Sequence, residues 1–487
     1  ALEYSSSGNK LWPDDNEILL YLATSNHKLK KVKEAKEKYL ILVERKENNH
    51  SYLNKFANFL YEIGEWKEAE IYAIRSYKIN PTSPNSLTNL GRIRQQRGDL
   101  EGAVKFYHKA IEMKPDYGDP YNNLGNIYLY MDRTNESIKY FNQAIKLKPR
   151  DLGIRFNRCL AQLTLGKIGS FWKEHKLRFR KTDPNKSREW KWKEWNGENI
   201  EGKNILLWGE QGLGDEIIHS RCINRISKIS NKCFVEASPR LTKLFKRSFP
   251  LATIVDMKTP PLKKITDNYF DFHSSSLDIN CSLYNSPKDI NSQSYLKADN
   301  LKVETLRKKY IEKSGGLPLI GISWSSTNTF HAHFKSTKLI IWKNIIENKN
   351  FQFINLQYGN IDEEINDFKS KTGLNIINDK NVNPSGDLDD FAAQVAAMDL
   401  VITISNTTAH MAGALGIPVW NMLPTGPGRL WYWFLSDTKS PWYSSMKLFR
   451  HSYKEGWGNV LNEICQLLKY EKELIQQNAT NRNKSLL

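Results

Sequence analysis

The chain has 487 residues, a formal net charge of +18 at pH 7, a hydrophobic content of 40% and 14 tryptophans. Such a length corresponds to two to four domains, and the apolar content supplies several cores, which excludes a disordered or fibrous chain. No apolar run approaches the ~20 residues needed to span a bilayer. The start, ALEYSSSGNKLWPDDNE, carries no apolar segment with a cleavage pattern, so neither a membrane span nor a signal peptide is expected. The five cysteines, Cys159, Cys222, Cys233, Cys281 and Cys465, are scattered and form no CxxC pair. A cytoplasmic setting without disulfides or structural zinc is the expectation. The basic charge suits nucleic acid, an anionic membrane or a phosphate-bearing substrate. The lysines are spread along the chain beside asparagines and isoleucines, however, so no specific nucleic-acid partner is expected.

After an N-terminal tail, residues 1–15, the chain is repetitive. Pro81, Pro115 and Pro149 are 34 residues apart. Between them LTNLGRIRQQRGDLEGAVKFYHKAIEMKP aligns with YNNLGNIYLYMDRTNESIKYFNQAIKLKP. Leu90-Gly91 matches Leu124-Gly125, and Ala103, Tyr107 and Ala110 match Ser137, Phe141 and Ala144. Small residues at these places let two antiparallel helices approach, and the proline ends the second. A third copy ends at Pro81, and a weaker one precedes it with Ala35 and Tyr39 in register. IRFNRCLAQLTLGKIGSFWKEHKLRFR begins like a repeat and then changes character, as a terminal cap does. The pattern resembles the tetratricopeptide repeat, whose period is ~34 residues, and an α-solenoid with its cap is expected over 16–180. By itself such an array implies a concave surface for a peptide or protein partner, or a platform for self-association or bracing.

A linker is expected over 181–200. It contains KSREWKWKEW, whose interleaved bases and tryptophans suit stacking on a single strand; at a domain junction the tryptophans are expected to pack instead. From residue 201 short apolar runs alternate with helical patterns. Ile205 to Trp208, Cys233 to Glu236 and Thr253 to Asp256 read as strands. A second set follows in LPLIGISWSS, FQFINLQYG and DLVITISNTTAHMAGALGIPVWNMLP. This alternation predicts mostly parallel sheets covered by helices, as two Rossmann-like halves over 201–300 and 301–450. Ligands of open parallel sheets sit beyond the carboxyl ends of the strands. There the chain places Gly212 to Asp215, Ser323 to Ser326, Gln357 to Asn360 and Ser405 to His410. Hydroxyls and backbone N–H groups at a helix N-terminus suit a phosphate, although Thr407 and Thr408 would also serve as helix caps.

NILLWGEQGLGDEIIHS, residues 204–220, is a strand, a glycine turn and a helix. It is not a dinucleotide fingerprint, because Ile217 stands at the third glycine position, and it lacks the Lys-Ser/Thr pair of a P-loop. Taken in order, WGEQGLGDEI, GISWSS, KSTKL, FINLQYG, SNTTAHMAGALGIPVW and SPWYSSMKLFR resemble bacterial tetratricopeptide proteins that carry a heptosyltransferase-like glycosyltransferase domain. The resemblance implies a GT-B fold after the repeats, with the acceptor in the first half and a nucleotide-diphosphate sugar in the second. It also implies a crossing helix within 451–475, near Val460 to Leu468, followed by a flexible tail, 476–487.

The same resemblance assigns roles. Gly214-Asp215 matches a Gly-Asp turn whose aspartate is the proposed base, with Gln211, Gly212 and Gly214 on the acceptor side and Glu210 as the alternative base. Lys335 matches a basic residue that would neutralise the diphosphate, and it equally suits a surface lysine. Asn406, Thr407, Thr408 and His410 match an Asp-Thr-x-x-x-His loop, except that Ser405 replaces the family aspartate. Ser323, Ser325, Ser326 and Gln357 complete the expected donor site, and His410 also suits a packed helix position. Asp387-Leu388-Asp389 spells DxD, but acids there stabilise a helix start, so no metal and no cofactor is expected. The expected partners are the nucleotide-sugar donor, a protein or glycan acceptor, and a protein or second copy on the repeats. The competing expectation is a scaffold whose transferase fold has lost catalysis, for which Ser405 is the support.

Overall fold

The computed structural model describes residues 15–178, 190–210, 212–326, 332–435, 438–451 and 456–484. The chain divides into two compact units, residues 1–158 and 159–487.

The first unit is a row of helical hairpins: α1 (Asn16–Lys28) with α2 (Val32–Arg45), α3 (His50–Glu62) with α4 (Trp66–Ile79), α5 (Pro84–Gln96) with α6 (Leu100–Met113), and α7 (Gly118–Tyr130) with α8 (Thr134–Leu147). The glycines of the repeat are needed for close approach. A Cβ on Gly91 would lie 2.5 Å from the Tyr107 ring, and one on Gly125 2.5 Å from the Phe141 ring. Each ring therefore closes its hairpin by resting on the bare backbone. The turns inside the hairpins share one conformation: Lys30, Gly64, Gly98 and Asp132, each 34 residues after the last, all have φ between +58° and +89°. Gly166 in the second unit, at φ +80°, keeps the phase.

The last helix of this rhythm, α9 (Leu152–Thr164), runs through the boundary between the units, and α10 (Ile168–His175) belongs to the second. The segment expected as the cap of the array is thus divided between the two units. Cys159, Leu163, Ile168 and Trp172 join a core with Trp195, Ile205 and Leu207, and Trp172 stacks on Trp195 with ring centroids 5.5 Å apart. The linker tryptophans pack as well, Trp192 lying edge-on to Phe270 at 4.8 Å. Residues 181–189 of the linker and most of the N-terminal tail lie outside the described residues.

The second unit contains two five-stranded parallel sheets. The strands of the first are β1 (Lys193–Glu194), β2 (Asn204–Trp208), β3 (Lys232–Ala237), β4 (Thr253–Asp256) and β5 (Phe272–Ser275), in the order β1-β5-β2-β3-β4. The second consists of β6 (Leu319–Ser323), β7 (Gln352–Asn355), β8 (Leu400–Ile404), β9 (Val419–Leu423) and β10 (Met446–Arg450), in the order β10-β9-β8-β6-β7. Both orders are those of doubly wound α/β sheets, and they reverse between β2 and β5 and between β6 and β8. β6, β8 and β9 are buried along their whole length, which is why they read as unbroken apolar runs rather than alternating ones.

Two C-terminal expectations are corrected. Val460, Leu461, Ile464 and Leu468 of the helix Gly458–Tyr470 pack with Ile320, Ile402, Trp420 and Phe449 of the second sheet, so this apolar stripe stays on the second half. The expected flexible tail is largely the helix Lys472–Lys484, with Ile475 and Ala479 buried. It is held by Arg307, which donates to the Ala479 carbonyl and the Asn483 side chain, and by Arg482, which donates to the carbonyls of Ala396 and Met398. Among the described residues no helix is long and apolar enough to cross a membrane.

Candidate active site

A cavity of about 380 Å³ lies at the carboxyl ends of the two sheets of the second unit. The first sheet contributes the turn after β2. Gly209 has no room for a side chain, since a Cβ would lie 2.6 Å from the Glu216 carboxylate, whose Oε2 accepts the Ser238 N–H at 2.9 Å. A Cβ on Gly214 would lie 2.9 Å from the His410 ring. The second glycine thus lets the two halves meet edge to edge, which explains a glycine turn that is not a dinucleotide loop.

Asp215 stands in the first turn of the helix Leu213–His219 and lines the cavity, its Oδ2 accepting the Gly212 N–H at 3.2 Å. Burial pushes its carboxyl up to about 6; the Gly212 hydrogen bond and Lys335 oppose the shift, and Glu210 adds to it. Lys335, from the second half, is only 6% exposed and lines the same cavity. Burial lowers its ammonium while Asp215 supports it. Its side chain makes no hydrogen bond to a described residue.

Where the second sheet reverses, a polar knot ties three strand ends together. Gln357 Oε1 accepts from Ser323 Oγ at 2.9 Å, Trp324 N at 2.9 Å and Ser325 N at 2.8 Å. Asn406 Nδ2 donates to Ser323 Oγ at 2.8 Å and to the Ser325 carbonyl at 3.2 Å. Asn406 Oδ1 accepts from the N–H groups of Thr408 and Ala409, capping the helix Thr407–Leu415. Ser323, Ser325 and Gln357 are therefore holders of the loop and do not line the cavity, nor does the fully buried Thr408. Ser326, Asn406, Thr407 and His410 do line it. Thr407 thus stands on the cavity wall at the start of a helix whose next two N–H groups are taken by Asn406.

His410 is a packed residue and a cavity wall at once. Its Nδ1 lies 3.0 Å from the Tyr443 hydroxyl, its Nε2 3.4 Å from that of Tyr432, and its ring stacks on Trp433 at 5.0 Å. Burial, with Lys335 nearby, lowers it to about 3, so the ring is neutral. The Ser405 hydroxyl accepts from Trp433 Nε1 at 2.8 Å, an indole bond that fills its place at the cavity wall.

Glu210 does not line the cavity. It points into a crevice of the first sheet and forms a two-pronged pair with Arg178, at 2.5 and 2.9 Å. Gln211 lies outside the described residues. The aspartates of the DxD sequence face cations: Asp387 pairs with Lys243, and Asp389 with Arg247 and Lys302, while Asp387 also caps its helix. Among the described residues no three His, Cys, Asp or Glu side chains gather at metal-ligand spacing.

Tyr358 lines the cavity within the expected stretch Gln357 to Asn360, whereas sequence reasoning missed Arg240, Ser385 and Tyr432 on the cavity wall. Arg240 follows β3, so its place at a strand end was a usable signal. Its guanidinium donates to the carbonyls of Pro384 at 3.0 Å and Gly386 at 2.8 Å, pinning a loop of the second half. Nothing local marks Ser385 and Tyr432.

The first unit offers a separate groove of about 900 Å³ along the repeats, lined by Asn54, Asn58, Asn85, Asn89, Asn123 and the cations Lys28, Lys30, Lys55 and Arg92 among others.

Residues 82–150 match the family model of the tetratricopeptide repeat. The N-terminal unit is a tetratricopeptide-repeat array. Protein FlbA of Caulobacter vibrioides (strain ATCC 19089 / CIP 103742 / CB 15) is 26% identical over 435 residues, covering 85% of this chain and 72% of FlbA. That share exceeds either unit, so the likeness runs through the tetratricopeptide repeats and into the sheets. Among solved structures, the Cut9-Hcn1 hetero-tetramer of the APC/C matches at 19% identity and a TM-score of 0.35, over 38% of this chain and 36% of that one. TTC0263, a thermophilic tetratricopeptide-repeat protein of Thermus thermophilus, matches at 23% identity and a TM-score of 0.31, over 33% of this chain and 89% of its own.

Proposed function

We propose that the protein is a metal-independent, inverting glycosyltransferase of GT-B type, using a nucleotide-diphosphate sugar and taking its acceptor with help from the tetratricopeptide repeats. The observation that carries this reading is the pairing, in one cavity, of Asp215 from the first sheet with Lys335 and Thr407, at a helix start, from the second. Asp215 takes the proton of the acceptor hydroxyl as its oxygen attacks the anomeric carbon. The bond from that carbon to the diphosphate oxygen breaks, and its electrons leave with the diphosphate. Lys335 and the N-terminus of the helix Thr407–Leu415 receive this charge. A carboxyl near pH 6 is ionised at neutral pH and is a better base than an ordinary aspartate. The polar repeat groove suits a polypeptide acceptor, since asparagine side chains offer both a donor and an acceptor to a peptide backbone.

The test is calorimetry and donor hydrolysis across a panel of nucleotide sugars in the presence of chelator. Binding with slow hydrolysis of one donor is expected; binding that requires a divalent ion, or no binding across the panel, refutes the reading. One observation favours an inactive scaffold instead: Ser405, in the place of the family aspartate, is held by Trp433. Tight nucleotide binding with no turnover of any donor or acceptor would establish that alternative.

A further inference from the structure

In an open parallel sheet a ligand crevice lies beyond the point where the strand order reverses, and in the first sheet that point falls between β2 and β5. The crevice is filled by Arg178. All five N–H donors of the guanidinium are engaged: Nε and Nη2 on the two Glu210 oxygens, Nη2 also on Ser275 Oγ at 3.1 Å, and Nη1 on Asp278 Oδ1 at 2.9 Å and His175 Nδ1 at 3.3 Å. His175 must accept at Nδ1, because a guanidinium only donates. The Arg178 side chain is 7% exposed, Glu210 10% and Asp278 2%. A buried cluster of this kind, one of whose members stands on the turn leading to Asp215, is more than a surface pair.

We infer that Arg178 is a positioning residue: it occupies the switch-point crevice of the first sheet, draws Glu210 into it and so sets the turn that presents Asp215 to the cavity. The inference rests on the transferase reading for its kinetic arm alone. It explains why Glu210 is withdrawn from proton transfer although it stands so near the cavity. It also explains why an arginine is needed, since an ammonium cannot bridge both Glu210 oxygens, Asp278 and Ser275 in one plane. Asp215 itself faces Glu210 on its own turn, Glu216 on its helix, Lys335 from the second half and the Tyr432 hydroxyl. Burial opposes the Arg178 charge, but Asp278 and Glu210 outweigh it, so Arg178 stays charged in the crevice.

The test uses the full chain with Arg178→Lys and Glu210→Gln. Arg178→Lys keeps the charge and loses the fork. Donor hydrolysis is expected to fall about tenfold or more, the scale of a small misplacement of a reacting group, while nucleoside-diphosphate affinity by calorimetry stays within about twofold. Glu210→Gln removes a negative charge near Asp215. The Asp215 titration midpoint, read by carboxyl carbon-13 NMR with Asp215→Asn for assignment, is expected to move down by several tenths of a pH unit or more. Wild-type hydrolysis by folded Arg178→Lys, or an unmoved Asp215 midpoint in Glu210→Gln, overturns the inference. A wild-type chain that hydrolyses no donor is a failure of the transferase reading instead; the Asp215 carboxyl resonance at about pH 8, where its charge is constant, then decides the positioning role, being expected to shift in Arg178→Lys and in Glu210→Gln, each of which breaks the two-pronged bond, and an unshifted resonance in either folded variant overturns the inference.

Discussion

The two units are built by opposite uses of the chain. In the repeat unit the decisive contacts are near in sequence and recur: the Tyr107 ring rests on Gly91 and the Phe141 ring on Gly125, each 16 residues on. At the cavity of the second unit they are distant and single: Asn406 bonds Ser323 across 83 residues, and Arg240 bonds the Pro384 carbonyl across 144. A repeat can therefore lose one contact and keep its neighbours, because each hairpin carries its own copy. The cavity has no second copy of Asp215 or Lys335, so a single substitution there should act on chemistry more than on folding.

The largest effect is expected at Asp215. Asp215→Asn should cut transfer roughly 10²–10⁴-fold, the share of general base catalysis, with nucleotide affinity within about twofold. In the wild type, turnover should fall to half as the pH drops to about 6, where the carboxyl becomes protonated. The variant should lack that limb in a pH–turnover profile. The linked stability has the opposite sense. A carboxyl raised on folding binds more protons in the native state, so its contribution is lost as the pH rises through about 6. Thermal unfolding should show Asp215→Asn more stable than the wild type at pH 7.5 and no more stable at pH 4; equal midpoints at pH 7.5 would deny that the carboxylate is buried at a cost.

Next comes a break in the other unit. Gly125→Val forces a side chain into the Phe141 ring and should destabilise by about 1–3 kcal/mol, measured by denaturant unfolding, with nucleotide affinity unchanged. A loss of nucleotide binding at native temperature would erase the contrast between the units. Lys335→Ala should weaken nucleoside-diphosphate binding about tenfold to a hundredfold, the worth of a charged hydrogen bond, by calorimetry with chelator present; unaltered affinity removes Lys335 from the proposed donor site. The smallest effect sharpens the repeat logic. Asp132 holds φ at +61° where Gly64 and Gly98 stand in the other repeats. Asp132→Gly relieves a left-handed residue at some entropic cost in the unfolded chain, and should stabilise by roughly 0.5 kcal/mol in the same unfolding measurement.

Legibility followed the same division. Pro81, Pro115 and Pro149 and the Leu-Gly pairs announced the hairpins, and the apolar runs announced β2, β3, β4, β6, β7, β8 and β9. β1, β5 and β10 were not read as strands: KE and FHSS carry little apolar signal, and the apolar residues of MKLFR are interrupted by Lys447 and Arg450. Of the candidate residues, Gly212, Gly214, Asp215, Ser326, Lys335, Asn406, Thr407 and His410 come together in one cavity. Ser323, Ser325 and Gln357 lie behind it, since their polar atoms are taken by one another and by Asn406. Glu210 looked like a neighbour of Asp215 in the chain, but its carboxylate follows Arg178 into a different crevice.

The residues by themselves determined what depends on near neighbours: the 34-residue rhythm, the glycines under Tyr107 and Phe141, and the buried strands with a glycine turn after the first. They determined these because helix pairing within a hairpin and burial of a strand are written in runs of a few tens of residues at most. Only the tertiary structure decided that α10 joins the first sheet, that the helices after residue 457 stay with the second half, and that Arg178 fills the crevice beside β2. It alone also decided that Lys335 is buried opposite Asp215 and that His410 is neutral. These depend on which strands lie side by side and on how much water is excluded between them, and a charge changes its protonation and its partner only once distant segments have closed around it.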